Sequence, residues 1–449
     1  MRAVFPGDAG YDAARRVRNA RVDRRPAVVA RCSSPDEVVA ALGYARDECL
    51  GVAVRGGGAN VAGWGTCDGG LVLDVGPIDH LRINAATGIA EAGPGLTWGR
   101  FDAGTARFML ALPGARNTGV GIAGHTLGGG VGDLSRQFGL TSDNLVHAEL
   151  VTADGRQLRV DADTHPELFW ALRGGGGAGL GVVTSFGFRL HPVGGVVAGP
   201  LVHARDAVPA ALRKARDWLE TAPDETSLIA IAWTAPPLPF IPADLQYERG
   251  ALLIPTWFGD PARADEVLAP LLADPAPVFN GLRPMTYVEY QGLLQSPPDF
   301  AEQHVYNRGE LLPALSDDVL DGILQHWQGS GPNYSVVFGA LGGAISRAPA
   351  GETAFAHREA RWFIEICAQW YGAADNPVHV ETARQGWRAL QDVTLGPYVN
   401  LLPDPEAEWA RAAYGKNYER LVAVKREWDP DNLFRFGVQL HDPHDAPTS

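Results

Sequence analysis

Cysteine is scarce in this chain of 449 residues, which has only four, and none of them forms a CxxC pair. Paired cysteines are typical of zinc sites and dense cysteine frameworks of small secreted domains, so we interpret these four as reduced thiols. Basic residues are outnumbered as well, with 38 Lys and Arg against 52 Asp and Glu. The resulting net charge of −14 argues against nucleic acid as a partner.

Long apolar runs are also missing. A membrane-spanning helix needs about 18 consecutive apolar residues, and no segment approaches that length. We therefore expect a protein that has no membrane partner and resides in the cytoplasm. Motifs of a Ser-His-Asp elbow, a Walker loop or a metal-binding cluster do not occur, so the sequence gives no support for a hydrolase, an NTPase or a metal enzyme.

Glycine and short apolar segments are abundant. The first 190 or so residues alternate brief β-type runs with glycine, and apolar spacing predicts helices near 35–46 and 98–108. The Asp154-Gly155 step predicts a hairpin turn. This half is therefore α+β, and the length of the chain favours two domains.

From about residue 193 the sequence alternates longer strands and helices, which suits a sheet covered by helices on one face. Five aromatic residues could form a wall for a flat substrate on the other face, although each alone is more typical of a core. They are Trp233, Trp257, Tyr306, Trp362 and Trp370. Near the end, apolar spacing from Tyr414 to Trp428 predicts one long helix that stops at Asp429-Pro430.

Three glycine clusters stand out, at residues 55–63, 119–132 and 174–181. Such density favours loops whose backbone N–H groups approach a phosphate or a flat ring closely. Tight turns between short strands are the alternative explanation for any one cluster.

The segment 119–124 also matches the GxGxxG spacing of dinucleotide-binding folds, with Asp143 as a candidate ribose-binding acid. That motif must follow a buried strand and open a helix. Here the supposed helix would contain four glycines between 128 and 132. An extended, irregular pyrophosphate cradle is therefore the better interpretation.

A series of longer motifs is spread along nearly the whole chain. They are Arg55-Gly-Gly-Gly58, Gly63-Trp-Gly-Thr-Cys-Asp-Gly-Gly70, Thr126-Leu-Gly-Gly-Gly130, Gly139-Leu-Thr-Ser-Asp-Asn-Leu145, Leu168-Phe-Trp-Ala-Leu-Arg-Gly-Gly175, Tyr398-Val-Asn400, Tyr414-Gly-Lys-Asn417 and Asp429-Pro-Asp-Asn-Leu-Phe-Arg435. Together they resemble the berberine bridge enzyme-like FAD-linked oxidases, whose FAD-binding module is of the PCMH type.

The resemblance implies an α+β, two-domain fold. A discontinuous FAD-binding domain would comprise residues 1–193 and 395–449, and a substrate-binding domain on an antiparallel sheet backed by helices would comprise 194–394. The implied cofactor-binding residues are Arg55, Gly56, Gly57, Gly58, Ala59, Asn60, Thr118, Gly119, Gly121, Gly124, His125, Thr126, Gly128, Gly129 and Asn400, with Val183 near the adenine.

The covalent flavin anchors of this family are missing. The usual histidine after Arg-Gly-Gly-Gly is replaced by Ala59, and the additional cysteine by Ser142. We therefore expect non-covalent FAD. Ala59 has three competing explanations: a natural non-covalent variant, an engineered substitution, or a paralogue without redox chemistry. The intact rest of the cradle, including Asn60, favours the first two. His125 could be a replacement anchor, but a histidine in a polar loop more often forms hydrogen bonds.

Two residues are candidates for the general base that such an oxidation needs. The resemblance places Tyr398 near the flavin, and Glu365 at a position where relatives carry Glu or Gln facing it. Strand alternation puts Glu365 on the face of Phe363 and Cys367. Structural roles remain the alternative for both: a locally paired phenol, or an exposed or ion-paired carboxylate.

The function implied is an FAD-dependent oxidase that transfers a hydride from an alcohol, amine or activated C–H bond to FAD, and the electrons to O₂. The substrate would be a bulky or aromatic secondary metabolite, such as an antibiotic intermediate, an alkaloid or an oligosaccharide. The alternative is a flavin-containing protein that binds or cyclises a natural product without net redox chemistry.

Overall fold

The computed structural model describes residues 1–295, 302–349, 351–403 and 407–440. Short strands dominate its first half. They are β1 (Arg2–Val4), β2 (Val28–Arg31), β3 (Val52–Arg55), β4 (Leu71–Asp74), β5 (Leu81–Asn84), β6 (Ile89–Ala92), β7 (Leu110–Ala111), β8 (Leu145–Val151), β9 (Gln157–Asp161), β10 (Val182–Arg189) and β11 (His191–Pro192).

These strands form two main sheets. One is mixed, in the order β1-β2-β4-β3, and the other is antiparallel, in the order β5-β6-β10-β8-β9. The predicted hairpin is present, because β8 and β9 pair antiparallel around a turn in which Gly155 has φ of +90°. Glycine adopts this left-handed conformation without a steric penalty.

One large antiparallel sheet dominates the second half. Its strands are β12 (Val196–Ala198), β13 (Leu201–Ala204), β14 (Thr226–Thr234), β15 (Arg249–Trp257), β16 (Phe279–Asn280), β17 (Arg283–Met285), β18 (His304–Leu312), β19 (Tyr334–Ala340), β20 (Trp362–Trp370) and β21 (Gly396–Pro397). Along its centre the order is β13-β15-β14-β19-β20-β18. The predicted domain boundaries fall between β11 and β12 and just before β21, which pairs with β18; the boundaries themselves stay a prediction.

Helices accompany both halves. They are α1 (Tyr11–Arg15), α2 (Pro35–Asp47), α3 (Trp98–Ala106), α4 (Ile122–Leu127), α5 (Ser135–Phe138), α6 (Pro166–Leu172), α7 (Val208–Thr221), α8 (Ala264–Leu272), α9 (Tyr287–Gln291), α10 (Asp317–Gly329), α11 (Ala344–Arg347), α12 (Asn376–Arg388), α13 (Ala407–Tyr414) and α14 (Tyr418–Trp428). The predicted α+β class and the helices near 35–46 and 98–108 are confirmed. Within the described ranges, no helix has the length and apolar character needed to span a bilayer.

The single long helix predicted near the end is wrong. A short 3₁₀ segment, Gly415–Asn417, separates α13 from α14, and Gly415 has φ of +44°. A residue with positive φ interrupts a right-handed helix, and only glycine adopts a positive φ at low cost. The helix α14 does end at Trp428, immediately before Asp429-Pro430, as expected.

Four helices, α7, α8, α10 and α12, cover one face of the large sheet and enclose a core with it. Trp257, Tyr306, Trp362 and Trp370 are buried in that core, whereas Trp233 lies on the opposite face. The predicted aromatic wall is therefore wrong. Neighbouring residues of a strand alternate between faces, and on β20 the face opposite the helices carries Phe363, Glu365 and Cys367.

A single buried asparagine ties the first half of the chain to the large sheet. The Asn19 amide donates to the Val61 carbonyl (2.7 Å) and the Val305 carbonyl (2.9 Å), and its oxygen accepts from the Val305 N–H (3.0 Å) and the Arg21 N–H (3.1 Å). All four capacities of the side chain are used. Val305 belongs to β18, so this clasp fixes the loop after β3 against the sheet.

We predict that Asn19→Ala lowers the free energy of unfolding by about 3 kcal/mol, because buried backbone groups lose their partners. Urea denaturation followed by circular dichroism measures the change. Asn84→Ala is the matched control; Asn84 is exposed and caps only a local turn, so the loss there should stay below about 1 kcal/mol. Equal losses in the two variants would contradict the assigned role of Asn19.

Candidate active site

The first two glycine clusters meet backbone to backbone. A Cβ placed on Gly57 would lie 2.7 Å from the Cα and N atoms of Gly121, and the reverse holds for a Cβ on Gly121. On Gly56 a Cβ would lie 3.1 Å from the Pro94 carbonyl oxygen, and Gly58 has φ of +63°. Side chains are therefore excluded at the junction of the two loops.

Arg55 stabilises this loop from beneath. Its guanidinium Nη2 donates to Asp74 Oδ2 (3.0 Å), and Asp74 Oδ1 accepts the Gly76 N–H (3.0 Å). The Arg55 side chain is almost fully buried. It thus holds the loop to the end of β4 instead of presenting its charge to a ligand, and Asp74 is a partner that the sequence analysis missed.

The backbone of the first loop is available for binding. Within the described residues, the N–H groups of Gly57, Gly58, Ala59 and Asn60 have no protein acceptor. Asn60 shapes the loop, since its side-chain oxygen accepts from the Trp64 N–H (3.3 Å). Consecutive free N–H groups form an anion-binding concavity. Ala59 adds only a methyl group to it.

The second loop leads into α4. The Thr118 hydroxyl donates to Gln295 Oε1 (2.6 Å), the Gly119 N–H donates to Asn117 Oδ1 (3.0 Å), and α4 begins directly after Gly121. A helix therefore opens within the GxGxxG segment, contrary to our expectation, but β7 ends well before it at Ala111. The strand that a dinucleotide-binding fold requires is not in place.

Three residues of α4 differ in environment. Gly124 is exposed, with open space around its Cα. Thr126 is buried, and its Oγ1 has no partner in the described part of the chain. The His125 ring packs edge-on against Trp98 (5.3 Å) and its Nε2 lies 3.1 Å from the Val131 carbonyl oxygen. Burial lowers the pKa of His125 to about 4, so its imidazole is neutral at pH 7.

The glycine run after α4 packs against the Tyr-x-Asn motif. A Cβ on Gly128 would lie 2.0 Å from Asn400 Oδ1, and Gly129, with φ of +108°, would contact Phe355 at 2.8 Å. The Asn400 amide donates to the His125 carbonyl (3.0 Å) and to the Tyr398 hydroxyl (2.8 Å). The structure thus brings five of the predicted residues together: His125, Gly128, Gly129, Tyr398 and Asn400.

Tyr398 is held by hydrogen bonds to its oxygen. Besides the Asn400 amide, the N–H groups of Gly130 and Val131 donate to it, each at 3.2 Å. Burial raises the pKa of Tyr398, and these three donors oppose the rise. The side chain is a protonated phenol at neutral pH.

Glu365 lies on the face of β20 that is not covered by helices, as predicted. Its Oε1 accepts from the Asn307 amide (2.6 Å). Burial raises the pKa of Glu365 to about 7, against the hydrogen bond from Asn307 and the positive charge of Arg116. Phe363 precedes Glu365 by two residues and packs edge-to-face on Tyr398 (5.7 Å), so both candidate groups lie on one side of the sheet.

Val183 and the third glycine cluster lie elsewhere. Val183 is buried on β10, opposite Leu150, in the core of the first half. In the third cluster, a Cβ on Gly176 would lie 2.6 Å from Leu127, and one on Gly179 would lie 2.6 Å from Phe434. These glycines allow protein segments to pack closely, which favours the structural explanation for this cluster.

A small, half-open cavity lies on the uncovered face of the large sheet. It is lined by Arg116, Asp133, Ile229, Ile254, Tyr290, Gln291, Leu293 and Leu294. Arg116 and Asp133 were missed by the sequence analysis. Their positions on either side of the second glycine cluster could have indicated them. In the described segments, no cluster of His, Cys, Asp and Glu is suited to a metal ion.

The two glycine loops fit the cofactor that the motifs imply. Free N–H groups at 57–60 suit a pyrophosphate, the Gly57 contact with Gly121 leaves no room for side chains, and the buried Thr126 hydroxyl lacks a partner. Beyond these loops, Asn400 and Tyr398 connect α4 to the glycine run after it through hydrogen bonds, and Tyr398 packs on Phe363 of the strand that carries Glu365.

Comparisons with known proteins agree. Residues 26–161 match the FAD binding domain family, and residues 397–437 match the family described as "Berberine and berberine like". The chain is 30% identical to (R)-6-hydroxynicotine oxidase of Paenarthrobacter nicotinovorans over 98% of its own length and 96% of that protein. It is 28% identical to the FAD-linked oxidoreductase YgaK of Bacillus subtilis, over 97% of this chain and 95% of that one.

Among solved structures, wild-type BBE-like 1 of Physcomitrella patens superposes with a TM-score of 0.88 at 25% identity, covering 98% of this chain and 97% of that one. Fold, glycine loops and sequence therefore agree, and the chain belongs to the berberine bridge enzyme-like family of FAD-dependent oxidoreductases.

Proposed function

We propose that this chain is an oxidase that holds FAD non-covalently and oxidises an alcohol, amine or activated C–H bond of a small organic molecule, with O₂ as the electron acceptor. The observation that carries the proposal is the pair of touching glycine loops, with free N–H groups at 57–60 among the described residues, together with the half-buried carboxyl group of Glu365 on the sheet. One relative, (R)-6-hydroxynicotine oxidase, is named for a small-molecule substrate, which supports a small organic molecule as the substrate of this chain.

When bound, FAD supplies the redox chemistry, and the residues of this chain orient the substrate and move its proton. Residues 57–60 and the start of α4 would hold the pyrophosphate through backbone N–H groups. Neither Ala59 nor Ser142 offers a covalent anchor. The His125 ring packs edge-on against Trp98, and its Nε2 lies within hydrogen-bond distance of the Val131 carbonyl. These contacts support hydrogen bonding as the role of His125.

Glu365 is the better general base of the two candidates. A base works best when its pKa is near the working pH, and burial raises that of Glu365 to about 7. The ordinary pKa of a tyrosine already lies far above neutral pH, and burial raises that of Tyr398 further. The phenol therefore stays protonated. We assign Tyr398 and Asn400 to positioning, since their hydrogen bonds join the Gly130 and Val131 amides to the His125 carbonyl.

We expect the purified protein to be yellow, and acid precipitation to leave the colour in the supernatant. Ala59→His should shift part of the colour into the pellet, because it restores the residue that carries flavin in relatives. Absorbance near 450 nm in both fractions measures the distribution. A colourless preparation with FAD added in excess would contradict the proposed function, and a yellow wild-type pellet would contradict non-covalent attachment.

Gly57→Ala should weaken FAD binding at least tenfold. Its new methyl group would stand 2.7 Å from the Gly121 backbone, so the two loops must separate. Titration of the flavin-free protein with FAD, followed by flavin fluorescence, gives the Kd. Gly322→Ala is the control, since a Cβ there meets open space on α10. An unchanged Kd for Gly57→Ala would show that the loops do not form the cradle.

Glu365→Gln should change the pH dependence of stability. The carboxyl of Glu365 has a pKa of about 4.5 in the unfolded chain and about 7 in the folded protein. At a pH between these two values, the folded protein therefore binds more protons than the unfolded chain. Wild-type stability therefore falls as the pH rises through this window, by roughly 3 kcal/mol. The glutamine variant lacks that fall. Urea denaturation at pH 4.5 and pH 8 measures it.

The exposed Glu248→Gln variant should keep the wild-type pH dependence, because Glu248 lies at the surface. If Glu365→Gln and the wild type lose the same stability between the two pH values, the carboxyl of Glu365 is not the titrating group.

A further inference from the structure

Arg116 is the charged group at the cavity on the uncovered sheet face. Its Nε donates to both oxygens of Asp133 (2.9 and 2.8 Å), and its Nη2 donates to Asp133 Oδ1 (2.6 Å). Within the described residues the other terminal nitrogen, Nη1, has no acceptor. The Arg116 side chain retains 20% exposure while that of Asp133 has 1%. The guanidinium thus presents one free N–H edge to the cavity.

Asp133 fixes the direction of that edge. Its Oδ1 also accepts from the Ser227 hydroxyl (2.8 Å), and Ser227 lies on β14. A fork-shaped guanidinium bound at two of its nitrogens cannot rotate freely. Asp133 is therefore a positioning residue that leaves Nη1 preorganised for a ligand.

Most of the remaining cavity wall is apolar. Ile229 and Ile254 come from paired positions on β14 and β15, and Leu293 and Leu294 follow α9. Tyr290 and Gln291 add polar groups. A molecule that fits this wall has an apolar body and one polar end, with Arg116 as the cationic group facing it.

Arg116 also lies close to the strands that lead to Glu365. Gly339 pairs with Ile229 on one side and with Phe363 on the other. A Cβ on Gly339 would lie 3.8 Å from Arg116 Nη1 and 3.2 Å from the Phe363 ring. Two strand spacings, roughly 10 Å, separate Ile229 from Phe363. A small molecule held at Arg116 therefore reaches the neighbourhood of the candidate base.

We propose that Arg116 is the specificity-determining residue of this site, and that its Nη1 binds a carboxylate oxygen of a small substrate whose apolar body rests on Ile229 and Ile254. The inference rests on the proposed oxidase function, because it assigns the substrate class of that same site. A carboxylate is the group that a preorganised guanidinium edge binds most strongly. It would hold the far end of the substrate while the reacting bond faces Glu365.

Calorimetric titration with benzoate and with its uncharged analogue methyl benzoate tests the proposal at pH 7. Arg116→Met alone would leave the Asp133 carboxylate buried without its partner, so the double variant R116M/D133N removes both charges together. We expect its benzoate affinity to fall about 10- to 100-fold, the value of one charge-assisted hydrogen bond. The affinity for methyl benzoate should not change. Arg116→Lys, which keeps the charge but loses the fork, should give an intermediate loss for benzoate.

Arg213→Met is the matched control, since Arg213 forms ion pairs with Asp317 and Asp321 on the surface of α7 and α10. It should bind both ligands like the wild type. Equal losses for benzoate and methyl benzoate in the double variant, no loss for benzoate, or no benzoate binding by the wild type would each overturn the proposal.

Flavin absorbance near 450 nm is measured on the same preparations. A flavin-free wild type counts against the proposed function, whereas the calorimetric ratio of the two ligands decides on Arg116 with or without flavin.

Discussion

Backbone contact between Gly57 and Gly121 is the constraint on which the site depends. Each glycine occupies the place where the other would carry a side chain, with 2.7 Å between a Cβ and the facing backbone. This contact brings the end of β3 and the start of α4 together, although more than sixty positions of sequence separate them. The free N–H groups of residues 57–60 then lie beside the start of α4.

Glycine loops have high conformational entropy, so their shape must be imposed by neighbours. Three largely buried arginine and aspartate pairs do this here. Arg55 with Asp74 holds the first loop, Arg116 with Asp133 brackets the second, and Arg358 binds both oxygens of Asp143 (2.7 and 2.6 Å) behind the Gly128 to Gly130 run. Removing one member of such a pair leaves a charge buried, which is strongly destabilising. These pairs therefore make a side-chain-free cradle rigid.

Patterns among residues that are close in sequence predicted much of the fold. Contacts between residues that are far apart in sequence could not be predicted. Periodicity and turn residues located α2, α3 and the hairpin at Gly155, because these depend on neighbours in sequence. Alternation on β20 placed Glu365 correctly. The aromatic wall failed because parity on a strand, not residue type, decides which face Trp362 and Trp370 occupy. Arg116 was missed because its role depends on its ion pair with Asp133 and on the hydrogen bond between Asp133 and Ser227. Only folding brings these three residues together.

The site divides its work between two kinds of structure. The glycine loops contribute backbone groups, which substitution cannot alter chemically without disturbing the fold. The large sheet contributes the side chains of Phe363 and Glu365, and Gly339, which has no side chain, pairs with Phe363. Arg116 belongs to the loop in sequence and to the sheet in contact, through Asp133 and Ser227. It is therefore the charged side chain through which the loop and the sheet meet.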